Sequence, residues 1–266
     1  MNSKFQLAEI VNVAEQAAQA AGNVLLEMRG KVEPREKAPA DLVTDADVAS
    51  QRLIFKHLSS HYGDFAFLGE EDTGVTEIPD AEYCWIVDPL DGTTNYVHGL
   101  ENYCVSIGLR RGNQIVAGVI YDPNKNQVYS TIRGGGAFCN GERLQVSTTK
   151  NLSEALVAAS FPARVPRDSD ELKRFVEVLV RCQALRRLGS AALNMCFVAG
   201  GKLDAYWATS VKTWDVAAGL LLVEEAGGIV TNLAGEPLDI AQPRFVAGST
   251  IELHRELGEV LRMAIE

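Results

Sequence analysis

Apolar residues recur every three to four positions near the start of the chain: Leu7, Ile10, Val11, Ala14, Ala18, Ala21, Val24, Leu25 and Met28. That period predicts one long amphipathic helix over residues 5–29, with Gly30 as its stop. The next run, KVEPREKAPADLVTDAD, mixes Pro34 and Pro39 with alternating charge. It reads as a loop or loose hairpin leading to a second helix from about Asp47 to His61, with Leu53, Ile54 and Leu58 turned inward.

The period then shortens. FAFLG, YCWIVD, YCVSIGLR, QIVAGVIYD and QVYSTI are short β-rich runs parted by turn signals at 111–113 and 122–124. They predict an antiparallel meander, continued by the glycine-rich turn and strands of 133–147. After residue 150 strands and helices alternate. Strand candidates are ALVAAS, ALRRLG, LDAYWA and a last one around Phe245–Ala247. Helices are expected over 169–182, over SAALNMCFVAGG, over 214–226 and from about Ile251. The reading is mixed α and β, with helices covering sheets in several layers. It is a single unit over 1–266, with approximate halves 1–150 and 151–266.

Composition narrows the class. Hydrophobic residues are 47% and charged residues 23%, so the chain can bury a core and is not a disordered type. With 25 Lys and Arg against 35 Asp and Glu, the net charge of −10 argues against nucleic acid as a partner. Five cysteines without a CxxC pair suggest free thiols in a reducing compartment. Glu9, Asn12 and Glu15 interrupt any leader-like apolar core, and no stretch is apolar enough for a membrane span. A cytoplasmic protein without a membrane anchor is expected.

The densest chemistry lies in Trp85-Ile86-Val87-Asp88-Pro89-Leu90-Asp91-Gly92-Thr93-Thr94. An apolar strand ends in two carboxylates three apart. Pro89 should stop the sheet ladder, and a threonine should cap a following helix. Three further acidic groups stand out: Gly69-Glu70-Glu71-Asp72 after an apolar run, Asp41 to Asp47 before the second helix, and Trp214-Asp215 at a helix start. Taken singly, each has an ordinary reading as a turn, a solvated loop or a helix cap. Together they sit at strand ends and helix starts, where a layered α/β protein collects its site. Converging carboxylates repel unless cations lie between them. Carboxylate and water oxygens are what Mg²⁺ prefers, and such ions support phosphate-ester hydrolysis.

These motifs resemble the inositol monophosphatase family of Mg²⁺-dependent, lithium-sensitive phosphatases. Trp85 to Asn95 is similar to the family's first signature, and Trp214 to Gly219 with Glu225 to Gly228 to its second. Gly69-Glu70-Glu71 and Asp41-Leu42-Val43-Thr44 also match, over roughly residues 5–262. The resemblance implies a layered αβαβα sandwich of the inositol monophosphatase and fructose-1,6-bisphosphatase type, a homodimer, and two or three Mg²⁺ ions per active site. It implies Glu70, Asp88 and the Leu90 carbonyl at the first ion, and Asp88, Asp91 and Asp215 at the second. A weaker third ion would sit mainly on Glu70, with Lys37 and Asp41 on the nearby loop. Attacking water would be activated near Glu70, with Thr93 and Asp47 as a hydrogen-bonded pair. Asp91, Gly92, Thr93, Gly189, Ser190, Ala191 and Asp215 would meet the substrate.

One position departs from the pattern. Many members carry a glutamate for inositol hydroxyls seven residues before the second-motif aspartate, and here that residue is Ala208. Inositol 1-phosphate is the first substrate reading. Histidinol phosphate, fructose 1,6-bisphosphate and 3′-phosphoadenosine 5′-phosphate are the alternatives. A role as a regulatory partner in transcription antitermination is the reading from another class. Smaller features read as structural: His57 and His61 as packing or surface residues, His98 in a turn, Arg186 and Arg187 as edge-strand charges, Gly134 to Gly136 as a hairpin turn, and Cys182 and Cys196 as buried thiols.

Overall fold

The computed structural model describes residues 3–38, 41–72 and 77–265, without the side chains of 3–6, 37, 38 and 41. Helix α1 (Ser3–Met28) carries the apolar stripe read from the sequence, and Gly30 follows it in the left-handed region. A short antiparallel hairpin of β1 (Arg35–Ala38) and β2 (Asp41–Val43) leads into α2 (Asp45–His61). Ile54 and Leu58 are fully buried there, while Leu53 is half-buried at the margin.

The first sheet has the spatial order β3 (Ala66–Gly69), β4 (Tyr83–Asp91), β5 (Cys104–Arg111), β6 (Gln114–Asp122), β7 (Gln127–Ile132), β8 (Gly136–Cys139), β9 (Glu142–Arg143). From β4 onward it is the expected antiparallel meander. Strand β3 is the exception and lies parallel to β4. Both strands therefore finish at the same end of the sheet. A second correction concerns Pro89. Strand β4 runs through it to Asp91, because the ladder with β5 shifts register between Asp88 and Asp91. This bulge absorbs the residue that has no N–H to donate.

Alternation along β4 assigns the two faces. Trp85 and Val87 pack under α1 and α2, whereas Cys84 and Ile86 face the other way, onto Ala217 and Leu221. The second sheet has the order β11 (Ala184–Arg186), β10 (Leu156–Ser160), β12 (Ala205–Ala208), β14 (Phe245–Gly248), β13 (Ile229–Asn232). Strands β10, β11 and β12 are parallel, and β14 and β13 are antiparallel to their neighbours. Helices α5 (Ala191–Ala199) and α6 (Thr213–Glu225) fill the space between the sheets. Helices α4 (Asp170–Leu179) and α7 (Ile251–Met263) cover the outer face of the second sheet, packing on Val157, Trp207 and Val246. The order of layers is αβαβα.

Helix α6 lies unusually close to the first sheet. A Cβ on Gly108 would come within 2.8 Å of the Ala217 side chain, and one on Gly118 within 2.8 Å of the Ala218 backbone. Strand β13 has no counterpart in the sequence reading. All four of its residues are half-buried, so it shows no alternation to detect. Among the described residues no helix is long and apolar enough to cross a membrane.

Candidate active site

Two parallel strand ends present the first carboxylates. The Glu70 N–H donates to the Val87 carbonyl at 3.1 Å, which docks the end of β3 onto β4. The segment 69–72 is fastened further by Gln51 of α2. Gln51 Oε1 accepts from the Glu71 N–H (2.9 Å) and its amide donates to Asp72 (2.9 Å), whose other oxygen accepts from the Gly69 N–H (2.9 Å). A Cβ at Gly69 would lie 2.4 Å from the Gln51 carboxamide, so a side chain there would push this clamp aside. This clamp was not legible in the sequence, where Gln51 is one polar residue in a helix.

At the bulge, the Leu90 N–H donates to Asp88 Oδ1 (2.9 Å) and Ser50 donates to the Pro89 carbonyl (2.8 Å). Gly92, at φ 97°, then turns the chain into α3 (Thr93–Val97). The cap residue is therefore Gly92 rather than a threonine, because the turn needs a left-handed backbone. A Cβ at Gly92 would also meet the Asn102 carbonyl at 2.9 Å. The Thr93 hydroxyl faces both the Leu90 carbonyl (3.1 Å) and Asp47 Oδ1 (3.3 Å). Asp47 is fully buried. Its Oδ2 accepts from the Thr44 N–H (2.8 Å) and hydroxyl (2.6 Å), and Thr44 caps α2. The capping role and the contact with Thr93 thus belong to different oxygens of one carboxylate.

Asp91 lies at the end of β4, against the start of α5. The Ser190 hydroxyl and the Ala192 N–H (2.8 Å) donate to Oδ2, and the Ala191 N–H (3.1 Å) donates to Oδ1. Ser190 is fully buried, so its side chain faces Asp91 and not the open site. Gly189 precedes it at φ 84°, pressed on Asn95 of α3, whose amide holds the Leu188 carbonyl at 2.8 Å. Asp215, in the first turn of α6, accepts from the Lys212 N–H at 2.8 Å.

Glu70, Asp88, Asp91 and Asp215 act on one another. Asp88 is 2% exposed. Burial pushes its carboxyl well above the ordinary range, and the charges of Glu70, Asp91 and Asp215 push it further. Asp215 is raised strongly by burial, then by Asp91 and Glu70. Burial also raises Asp91, against the lowering pull of Ser190, Ala192 and Ala191. The side chain of Glu70 also pushes Asp88 upward through hydrogen bonding, the smallest of these causes. Among the described residues no three acidic, His or Cys side chains already stand at metal-ligand spacing. Protonation is how these carboxylates offset their mutual repulsion without a cation. The donors are hard oxygens throughout, which suits Mg²⁺ and not a thiolate-seeking metal.

The remaining predicted positions divide clearly. The side chains of Lys37 and Asp41 lie outside the described residues. Ala208 is fully buried in β12, and the adjacent Thr209 hydroxyl donates to Glu171 at 2.7 Å. Glu171, on the first turn of α4, is the carboxylate that reaches this strand end, and its position in sequence gave no signal. Arg187 is committed to the Phe161 carbonyl (2.6 Å) and ring. Gly134 and Gly136 N–H groups grip the Glu225 carboxylate at 2.6 and 2.8 Å, so this second-motif glutamate ties α6 to the β7–β8 turn.

Residues 6–266 match the inositol monophosphatase family. The chain belongs to that family. It is 41% identical to the inositol-1-monophosphatase of Mesorhizobium japonicum over 91% of this chain and 92% of that one. It is 39% identical to the Nus factor SuhB of Pasteurella multocida, covering 90% and 91%. In three dimensions it superimposes on the extragenic suppressor protein suhB of Bartonella henselae with a TM-score of 0.90 at 36% identity, covering 96% and 98%. It also superimposes on an IMPase/NADP phosphatase complexed with Mg²⁺ and phosphate, with a TM-score of 0.84 at 25% identity, covering 97% and 96%. The chain is a member of a phosphatase family with the layered αβαβα fold of these relatives.

Proposed function

We propose that this chain is a Mg²⁺-dependent phosphomonoesterase for a small polyol or sugar phosphate, with inositol 1-phosphate as the first substrate. The observation that carries the reading is the cluster of Glu70, Asp88, Asp91 and Asp215, mutually destabilised when ionised. Glu70, Asp88 and the Leu90 carbonyl would hold one ion, and Asp88, Asp91 and Asp215 a second. Bound Mg²⁺ would neutralise phosphoryl oxygens and make a nearby water easier to ionise. Thr93 donates its hydroxyl proton inward, toward Asp47 and Leu90, which leaves its oxygen able to accept from an attacking water. Asp47 is fixed by Thr44 and so keeps Thr93 in that orientation. Glu70 would help hold that ion and accept the water's proton, and the N–H groups of Gly92 and Thr93 would meet the phosphate. No covalent intermediate is needed.

The reading includes a cytoplasmic location, in keeping with five free thiols. It includes a homodimer, for which α4 and its C-cap offer Val176, Leu179 and Val180, each about half exposed or more, beside the open edge of β11. A second reading, as a partner in transcription antitermination, draws on the relatives named Nus factor SuhB.

The test is phosphate release from inositol 1-phosphate, histidinol phosphate, fructose 1,6-bisphosphate and 3′-phosphoadenosine 5′-phosphate, with Mg²⁺ and with EDTA. Turnover should require Mg²⁺ and vanish in Asp88→Asn. No turnover of any ester by folded, Mg²⁺-loaded protein would favour the second reading.

A further inference from the structure

Asp91 differs from Asp88 and Asp215 in how fully its charge is already met. A carboxylate has about four lone-pair positions. On Asp91, Oδ2 takes the Ser190 hydroxyl and the Ala192 N–H (2.8 Å), with the buried Cys104 thiol 3.7 Å away. Oδ1 takes only the Ala191 N–H, at 3.1 Å. Asp88, by contrast, accepts from the Leu90 N–H on one oxygen and meets carboxylates otherwise. Ser190 is itself fixed from behind, since its oxygen accepts the Leu193 N–H (3.2 Å) as the cap of α5.

We infer that Ser190 is a tuning residue for cation affinity: its hydroxyl compensates Asp91 Oδ2, confines a cation to Oδ1, and holds the second ion less tightly than a bare carboxylate would. This rests on the metal-dependent reading above. It assigns Ser190 a task other than touching substrate, for which its full burial leaves no room.

Two opposing effects decide the outcome of removing the hydroxyl. Asp91 would lose orientation, which weakens binding, and it would lose charge compensation, which strengthens it. The N–H groups of Ala191 and Ala192 belong to the backbone of α5 and remain, so orientation is largely kept. Compensation is lost outright, and hydrogen bonds to ionised groups are the stronger kind.

The experiment strips the full chain with EDTA and titrates it with Mn²⁺ by electron paramagnetic resonance and with Mg²⁺ by calorimetry. Ser190→Ala should tighten the weaker cation by about three- to tenfold. Ser190→Gly, which lacks the hydroxyl but is a tolerable helix cap, should do the same. Ser190→Thr should restore the wild-type constant. Affinity unchanged within about twofold, or weakened, in folded Ala and Gly variants would overturn the inference. Wild-type protein that binds no divalent cation at all would refute the metal-dependent reading itself, and the inference with it.

Discussion

Replacing Asp88 by asparagine should make the metal-free protein more stable while abolishing its metal response. Asp88 is 2% exposed and faces Glu70, Asp91 and Asp215. Asparagine keeps an oxygen to accept the Leu90 N–H, now 2.9 Å from Oδ1, and fills nearly the same volume. The substitution therefore removes the cost of holding a buried carboxyl that must either stay ionised against its neighbours or keep a proton above its ordinary range, at little packing cost, a change worth about 1–3 kcal/mol. At about 2–4 °C per kcal/mol for a domain of this size, the midpoint of unfolding should rise by several degrees. The sign with pH follows from linkage. The native carboxyl holds its proton to higher pH than the unfolded one, near 3.9. Wild-type stability in EDTA should therefore fall as pH rises from the unfolded value through the raised native one, with the full loss present above it. The variant escapes Asp88's share, so its advantage should be small near pH 4 and largest at alkaline pH. Thermal unfolding at pH 4, 6 and 8, in EDTA and in Mg²⁺, measures all of this. Mg²⁺ should raise the wild-type midpoint and leave the variant's nearly unmoved. An Asp88→Asn protein less stable than wild type in EDTA at pH 8 would refute the argument that these carboxylates are held together at a cost.

Thr93→Val should lower turnover by about two orders of magnitude or more while changing stability by less than about 1 kcal/mol, since the hydroxyl is one donor shared between Asp47 and Leu90; steady-state kinetics beside chemical denaturation separates the two effects. Glu225→Ala should cost about 1–2 kcal/mol by releasing the Gly134 and Gly136 N–H groups, with the cation constants unchanged by calorimetry. Gly118→Ala should cost about 1–3 kcal/mol by overpacking against α6. It should also weaken cation binding, because the helix that must move carries Asp215.

How far the sequence disclosed this arrangement depends on the range of the interactions involved. Helices α1 and α2 and strands β4 to β8 are written in local periods, and their boundaries fall within a few residues of the reading. The parallel placement of β3 is a long-range outcome that no local period encodes, yet it puts Glu70 beside Asp88. Strand β13 stayed hidden because Ile229 to Asn232 are uniformly half-buried. At the site, the acidic side chains announced themselves through their neighbours in motif. The residues that aim them did not. Gln51, Thr209 with Glu171, and the hydroxyl of Ser190 facing Asp91 are ordinary polar residues in sequence, and their partners lie 20 to 99 positions away.

The layered fold explains why so distributed a site can still be rigid. Four carboxylates that repel one another cannot be held by a loop, which would swing open to relieve the strain. Here Glu70 directly follows β3, docked on β4 through its N–H, and Asp88 stands at the bulge of β4. Asp91 is clasped by the start of α5, and Asp215 is carried on the first turn of α6. Separating any of them means moving a strand or a helix packed on both sides. Helix α6 is the critical member because it packs on the first sheet and on β13 of the second while bearing a carboxylate. Its approach is set by the missing side chains of Gly108 and Gly118, where a single Cβ would collide at 2.8 Å. Two glycines in the middle of antiparallel strands, a local cost to the sheet, thereby let the helix that bears Asp215 approach the sheet that bears Asp88. The repulsion that destabilises the metal-free cluster is the same quantity that a bound cation relieves, so the stiffness of the layers is what turns carboxylate crowding into cation affinity.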